Sequence, residues 1–126
     1  MTVARWRYLL AAWWLATFGL THVPLPALPI GPDVFFEADK LVHITIYGGL
    51  AFLADRAGWR TALGTAGLVA SLLTMAVVDE LTQIPVGRQA SVYDWIADAA
   101  GVACGLAAAG KIGAAKSVRT APLEAD

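Results

Sequence analysis

Asp39, Lys40, His43 and Tyr47 are spaced as one face of a helix: 39, 43 and 47 step by four, and Lys40 lies three before His43. Further along the chain, Asp79-Glu80 is followed by Gln83, then Arg88, then Asp94 and Asp98. Positions 94, 98, 101 and 105 fall on one narrow helical stripe, so Asp94 and Asp98 share it with Gly101 and Gly105. Carboxylates beside an imidazole can move a proton, hold a cation or receive an amine. Lys40 and Arg88 suit a phosphate or carboxylate partner. One histidine makes a thin case for zinc, and an oxygen-rich set fits Mg²⁺ or Ca²⁺ better. No resident cofactor is expected, although the carboxylates would admit a divalent cation. Ser91 has no flanking elbow glycines, and no glycine-rich phosphate loop is present, so nucleophilic and nucleotide chemistry find no motif.

Each of these residues also has a plainer reading. Asp39-Lys40 can be an interfacial helix start whose charges snorkel. His43 can donate to a backbone carbonyl or carboxylate inside a bundle, titrate, contact a ligand, or ligate a metal. Asp79-Glu80 can be a solvated helix end. His22 reads as a lone surface residue. Asp98 resists such a reading, because it lies deep in an apolar run.

The composition says what must position these groups. The chain has 126 residues, 58% hydrophobic and only 15% charged, against about 25% charged in a soluble domain. Its net charge of −1 gives no basic field, so nucleic acid is not an expected partner. The single cysteine, Cys104, makes no intrachain disulfide and is expected to be a small packing residue. No Asp, Glu, Lys or Arg occurs from Tyr8 to Pro32, enough for a membrane crossing of about 20 residues. Arg5 and Arg7 before that run resemble a secretion signal. The Thr21–Ile30 stretch is proline-rich without a clean cleavage site, so an uncleaved first span is expected. Leu41–Ala54 holds 14 residues between charges, only about 21 Å of helix. Starting that helix near Phe35 repairs the length and places Asp39, Lys40 and His43 within it. Thr61–Val78 and Ser91–Gly110 complete the set.

The expected fold is therefore an all-α membrane protein, a bundle of four transmembrane helices. The spans fall at about residues 8–28, 35–55, 61–80 and 91–110 of a single domain over 1–110, followed by a short, polar, mobile tail over 111–126. Arg5, Arg7, Arg56, Arg60, Lys111, Lys116 and Arg119 are seven of the nine basic residues, and all fall on one side. Both termini are thus expected in the cytoplasm. Trp6, Trp13, Trp59, Tyr93 and Trp95 sit near span ends, where interfacial aromatics belong. The polar groups then gather at the outer side. Five carboxylates there face two cations, and isolated charge in hydrocarbon costs roughly 2.5–3.5 kcal/mol per residue, so they are expected to meet one another, water or a ligand. Lys40 or Arg88 is expected against Asp94 or Asp98.

The runs Asp39-Lys40-x-x-His43-x-x-x-Tyr47, Asp79-Glu80-x-x-Gln83, Arg88 and Asp94-x-x-x-Asp98-x-x-Gly101-x-x-x-Gly105 resemble the VanZ-like family over about residues 35–108. The family more often carries Asn where this chain has Asp98, and its gap between the Gln83 and Arg88 positions is usually one residue longer. The resemblance implies a bacterial inner-membrane protein of the cell envelope, with a link to resistance to the glycopeptide teicoplanin. It names no reaction.

Two functional readings follow. One is an outward-facing polar pocket, built from Asp39, Lys40, His43, Tyr47, Asp79, Glu80, Gln83, Arg88, Asp94 and Asp98, that binds a membrane lipid or lipid-linked envelope component. The other is an intramembrane enzyme or carrier acting on such a molecule. Under a third, blander reading the cluster only joins the helices, with Gly101 and Gly105 serving packing.

Overall fold

The computed structural model describes the backbone of residues 1–22, 32–87 and 90–120, and the side chains of all these except 32–37 and 112–120. Among the described residues four helices follow one another: α1 (Val3–Thr21), α2 (Pro32–Arg56), α3 (Trp59–Gln83) and α4 (Val92–Thr120). A short 3₁₀ turn, Ile84–Val86, extends α3, and the described residues include no strand.

Local chemistry accounts for the boundaries. Thr2 caps α1, its hydroxyl accepting from the Arg5 N–H at 3.4 Å. The first helix therefore begins at Val3, earlier than the first apolar residue of the run. Pro32 opens α2 at a position where its missing N–H costs nothing. Ser91 caps α4 through its hydroxyl, which accepts from the Asp94 N–H at 3.4 Å. α4 does not stop at Lys111. Its helix carries on to Thr120, through Ala114, Ala115 and Lys116, all good helix formers, so much of the expected tail is helical. The proline-rich connection and the last six residues lie outside the described residues.

Within α3, Gly64 adopts φ 72°, ψ 168°, a conformation open in practice only to glycine, and kinks the helix one turn in. The long, straight part of α3 therefore begins after Gly64. Among the described residues, two helical segments are long and apolar enough to cross a membrane: Trp59–Val86, with mean hydropathy 1.8, and Val92–Lys111, with 1.2.

α2 is the central helix. It packs most extensively on α4 and less on α1 and α3, while α1 barely touches α3. Its Ile46, Tyr47, Leu50, Ala51 and Ala54 form the core with Leu68, Leu72 and Ala76 of α3 and Val102 of α4. Outward faces carry large apolar side chains, among them Leu15, Leu41, Leu63, Val78, Val92 and Ile96. The buried set, in contrast, includes His43, Glu80, Gln83, Asp94 and Asp98.

The start of α1, the α2–α3 turn and the later half of α4 share one end. Arg7 Nε donates to the Ala57 carbonyl at 3.3 Å, and Arg60 donates to the Leu106 carbonyl at 3.4 Å. Arg60 also pairs with Asp55 at 2.6 Å. Arg56 lies over Trp6, whose ring meets Phe52 edge-on. Not every tryptophan marks an interface, however. Trp13 and Trp95 turn inward, their indole N–H groups donating to the carbonyls of Ile46 (3.1 Å) and Leu73 (3.4 Å). Cys104 is exposed on α4 rather than packed.

Candidate functional site

The contact between α2 and α4 builds the site. A Cβ on Gly101 would stand 2.5 Å from the Ile44 carbonyl, and one on Gly105 would run into the carbonyl of Gly48. Only glycines permit so close an approach of Gly101 and Gly105 to the α2 backbone at Ile44 and Gly48, and Gly48 is a partner the sequence reading did not name. The two helices run in the same direction here, since contacts advance together along both: Lys40 with Asp94, His43 with Asp98, Gly48 with Gly105. The close approach brings the polar stripe of each helix against the other.

His43 Nδ1 and Asp98 Oδ1 lie 2.9 Å apart, with the residues only 4% and 1% exposed. One turn outward, the Lys40 ammonium meets Asp94 and also Asp39, the latter at 3.2 Å. This is the cross-helix pairing that the cost of buried charge calls for. α3 adds Glu80, 6% exposed. Its Oε2 accepts from the Ser91 N–H at 2.8 Å, and its Oε1 is buried with no hydrogen-bond partner among the described residues. His43, Glu80 and Asp98, one from each of three helices, present donor atoms that all lie within 4.8 Å of one another. Asp39, His43 and Asp94 do likewise. A cavity of about 270 Å³ opens beside Glu80, walled by Val77, Leu81, Ser91, Val92 and Trp95.

No protein-family model, curated protein or solved structure matches the chain. Its chemistry is therefore read from its own geometry.

The geometry divides what the sequence grouped. Asp79 and Gln83 do not join the His43 cluster; they bond to each other, Gln83 Nε2 donating to Asp79 Oδ2 at 2.8 Å. Asp79 also accepts from the Thr21 hydroxyl of α1 at 3.3 Å. Successive residues point about 100° apart around a helix, so Asp79 faces α1 while Glu80 faces α4; Gln83, four on from Asp79, shares its direction. Tyr47, 2% exposed, lines a small cavity with Asp79, Thr17 and Thr21 on this α1 side. His22 is not a lone surface residue. It stacks on Phe18 with centroids 3.9 Å apart, and its Nε2 lies 2.9 Å from the Thr82 hydroxyl. Arg88 lies outside the described residues.

Ser91 was legible as a cap, because Ser-x-x-Asp before an apolar run is a helix-start pattern. Its backbone contact with Glu80 was not. Gly49 was likewise missed; a Cβ there would fall 2.7 Å from the Trp13 ring. A separate cavity of about 400 Å³ is almost wholly apolar, between Leu10, Trp14, Leu50, Trp59, Leu72 and Met75.

Chemically, the α2–α3–α4 cluster sets four carboxylates (Asp39, Glu80, Asp94, Asp98) against one lysine and one histidine among the described residues. It is an acceptor-rich site suited to cationic or hydrogen-bond-donating groups. The Ser91 hydroxyl caps α4, accepting from the Asp94 N–H.

Proposed function

We propose that this chain is a four-span protein of the bacterial inner membrane, of the VanZ-like kind and with both termini cytoplasmic, whose outer-side polar cluster binds a lipid-linked or lipid component of the cell envelope. The inverted distribution of side chains supports the membrane setting: charged groups are buried between helices and large apolar ones face outward. The gathering of Arg7, Arg56 and Arg60 at the end opposite the carboxylates supports the orientation.

One observation carries the ligand reading. The roughly 270 Å³ cavity beside Glu80 has a carboxylate at its edge and apolar walls of Val77, Leu81, Val92 and Trp95. Such a lining suits an amphiphile, with hydrocarbon along the walls and a positively charged or donating head at Glu80.

The test is native mass spectrometry of the purified chain with phosphatidylethanolamine, whose head carries an amine, against phosphatidylglycerol, whose head does not. Preferential retention of the amine lipid, lost in Glu80→Gln and kept in Asp55→Asn at the opposite end, is expected. Equal retention of both lipids, or indifference to Glu80→Gln, would overturn the proposal and leave the cluster as a helix-joining device. Teicoplanin susceptibility of cells carrying the same variants gives a physiological readout suggested by the family resemblance.

A further inference from the structure

Glu80 carries one oxygen that no described protein group serves. Its Oε1 is buried and has no partner among the described residues, and an unsatisfied buried acceptor costs about 1–3 kcal/mol. The residue is 6% exposed, beside His43 at 4% and Asp98 at 1%. The nearby lysine serves other acceptors: Lys40 lies against Asp94 and Asp39, and no second lysine or arginine reaches this depth among the described residues.

We propose that His43, Glu80 and Asp98 form a binding site for one divalent first-row transition cation, such as Zn²⁺ or Mn²⁺. Three observations converge. Donor atoms of the three residues lie within 4.8 Å of one another; ligands about 2.0–2.2 Å from a common ion are themselves roughly 3–4.4 Å apart, so small side-chain adjustments close the set. The charges balance, since two carboxylates and a neutral imidazole with a dipositive ion sum to zero, the least costly total for a buried site. The ion also gives Glu80 Oε1 the partner it lacks. An imidazole among the donors moves the preference from Mg²⁺ and Ca²⁺, which take oxygen alone, toward metals that accept nitrogen.

The neighbouring set of Asp39, His43 and Asp94 is the weaker candidate. The Lys40 ammonium already lies among its carboxylates, so a second cation there meets repulsion. The deeper triad has no such occupant. Three helices each supply one ligand, so an ion there would fasten α2, α3 and α4 at their outer ends.

The site rests on the membrane-bundle reading above but not on any lipid. It is tested with the metal alone, on full-length protein purified without a polyhistidine tag and stripped with chelator in lipid-free detergent. Isothermal titration with Zn²⁺, and electron paramagnetic resonance of added Mn²⁺, should report one saturable site per chain. Glu80→Gln and Asp98→Asn should each weaken it by roughly 100-fold or more, since even groups that only support a ligand are worth 10–100-fold. Asp79→Asn, on the α1 side, should bind as the parent does. Zn²⁺ should also raise the thermal midpoint of the parent and not of Glu80→Gln, as mass action requires. Should Asp98→Asn fail to fold, Glu80→Gln still decides, because it keeps the His43–Asp98 pair. Absence of a saturable site in the parent, or parental affinity in Glu80→Gln, overturns the proposal. Lipid retention without metal binding would sink the metal site alone; metal binding without lipid selectivity would sink the ligand reading alone.

Discussion

At the scale of single residues, the His43–Asp98 pair is the most consequential contact. Both side chains are buried, and each is the other's charged or hydrogen-bonding partner at 2.9 Å. Removing one leaves the other without compensation in a low-dielectric setting, which typically costs about 3–5 kcal/mol, whereas replacing both with apolar residues is often near neutral. Asp98→Ala is therefore expected to lower unfolding stability by that amount in detergent, while His43→Leu combined with Asp98→Leu recovers most of the loss. Equal stability of Asp98→Ala and the parent would show that the pair does not hold the helices together. Lys40 acts differently. It sits at the rim, partly exposed between Asp94 and Asp39, so it screens two carboxylates and leaves the inner triad to find its own counter-charge.

At the scale of the helices, the α2–α4 crossing decides where every polar group lands. Gly48, Gly101 and Gly105 let the two backbones touch, and this approach, extended outward by one and two turns, sets His43 on Asp98 and Lys40 on Asp94. Gly105→Ala would force its new methyl into the Gly48 carbonyl. Overpacking of this sort typically costs about 1–3 kcal/mol, and the variant should also weaken metal or lipid binding at the distant cluster by shifting α4. Gly110→Ala, inside α4 where nothing lies within 4 Å, should match the parent or exceed it by up to about 1 kcal/mol, since alanine is the better helix former. Thermal unfolding of the two variants side by side checks both statements. Equal stability would mean that the crossing tolerates a Cβ. Gly49 plays the matching part on the α1 side, where the Trp13 ring occupies the space a side chain would need.

For the whole molecule, the question is which end faces out. The Arg7, Arg56 and Arg60 contacts fix one end of the bundle and the carboxylate cluster the other. The basic end should be cytoplasmic. In a Cys104→Ala background, a membrane-impermeant thiol reagent added to intact cells should label Ala90→Cys and spare Thr61→Cys. Labelling of Thr61→Cys alone would reverse the orientation and place the ligand cavity on the cytoplasmic side. The three helix pairings of α2 also mean that the bundle is organised about one helix, so truncation of α1 should disturb the Tyr47–Asp79 side more than the His43–Asp98 side.

Local rules were enough to place the chemistry on stripes. A helix repeats every 3.6 residues whatever surrounds it, so 39 and 43 had to share a face of α2, and 94, 98, 101 and 105 a face of α4; each step of four drifts about 40°, and by 47 the stripe has turned to the α1 side. The high apolar content and the few charges likewise pointed to an all-α chain with four membrane spans; the described residues are helical, and among them two segments are long and apolar enough to cross. Periodicity does not say which helix a stripe will meet. Asp79 and Glu80 are neighbours in sequence with equal claims on the cluster, yet one turns to Thr21 and the other to Ser91. Nothing local distinguishes them, because the choice depends on where α1 and α4 pack around α3. His22 looked solitary for the same reason: its partner Thr82 lies sixty residues away. The residue types and their faces belong to the sequence; the division into an α1 side and an α4 side, and the orphaned oxygen of Glu80, belong to the packing of whole helices, where long-range contact decides among faces that sequence leaves equivalent.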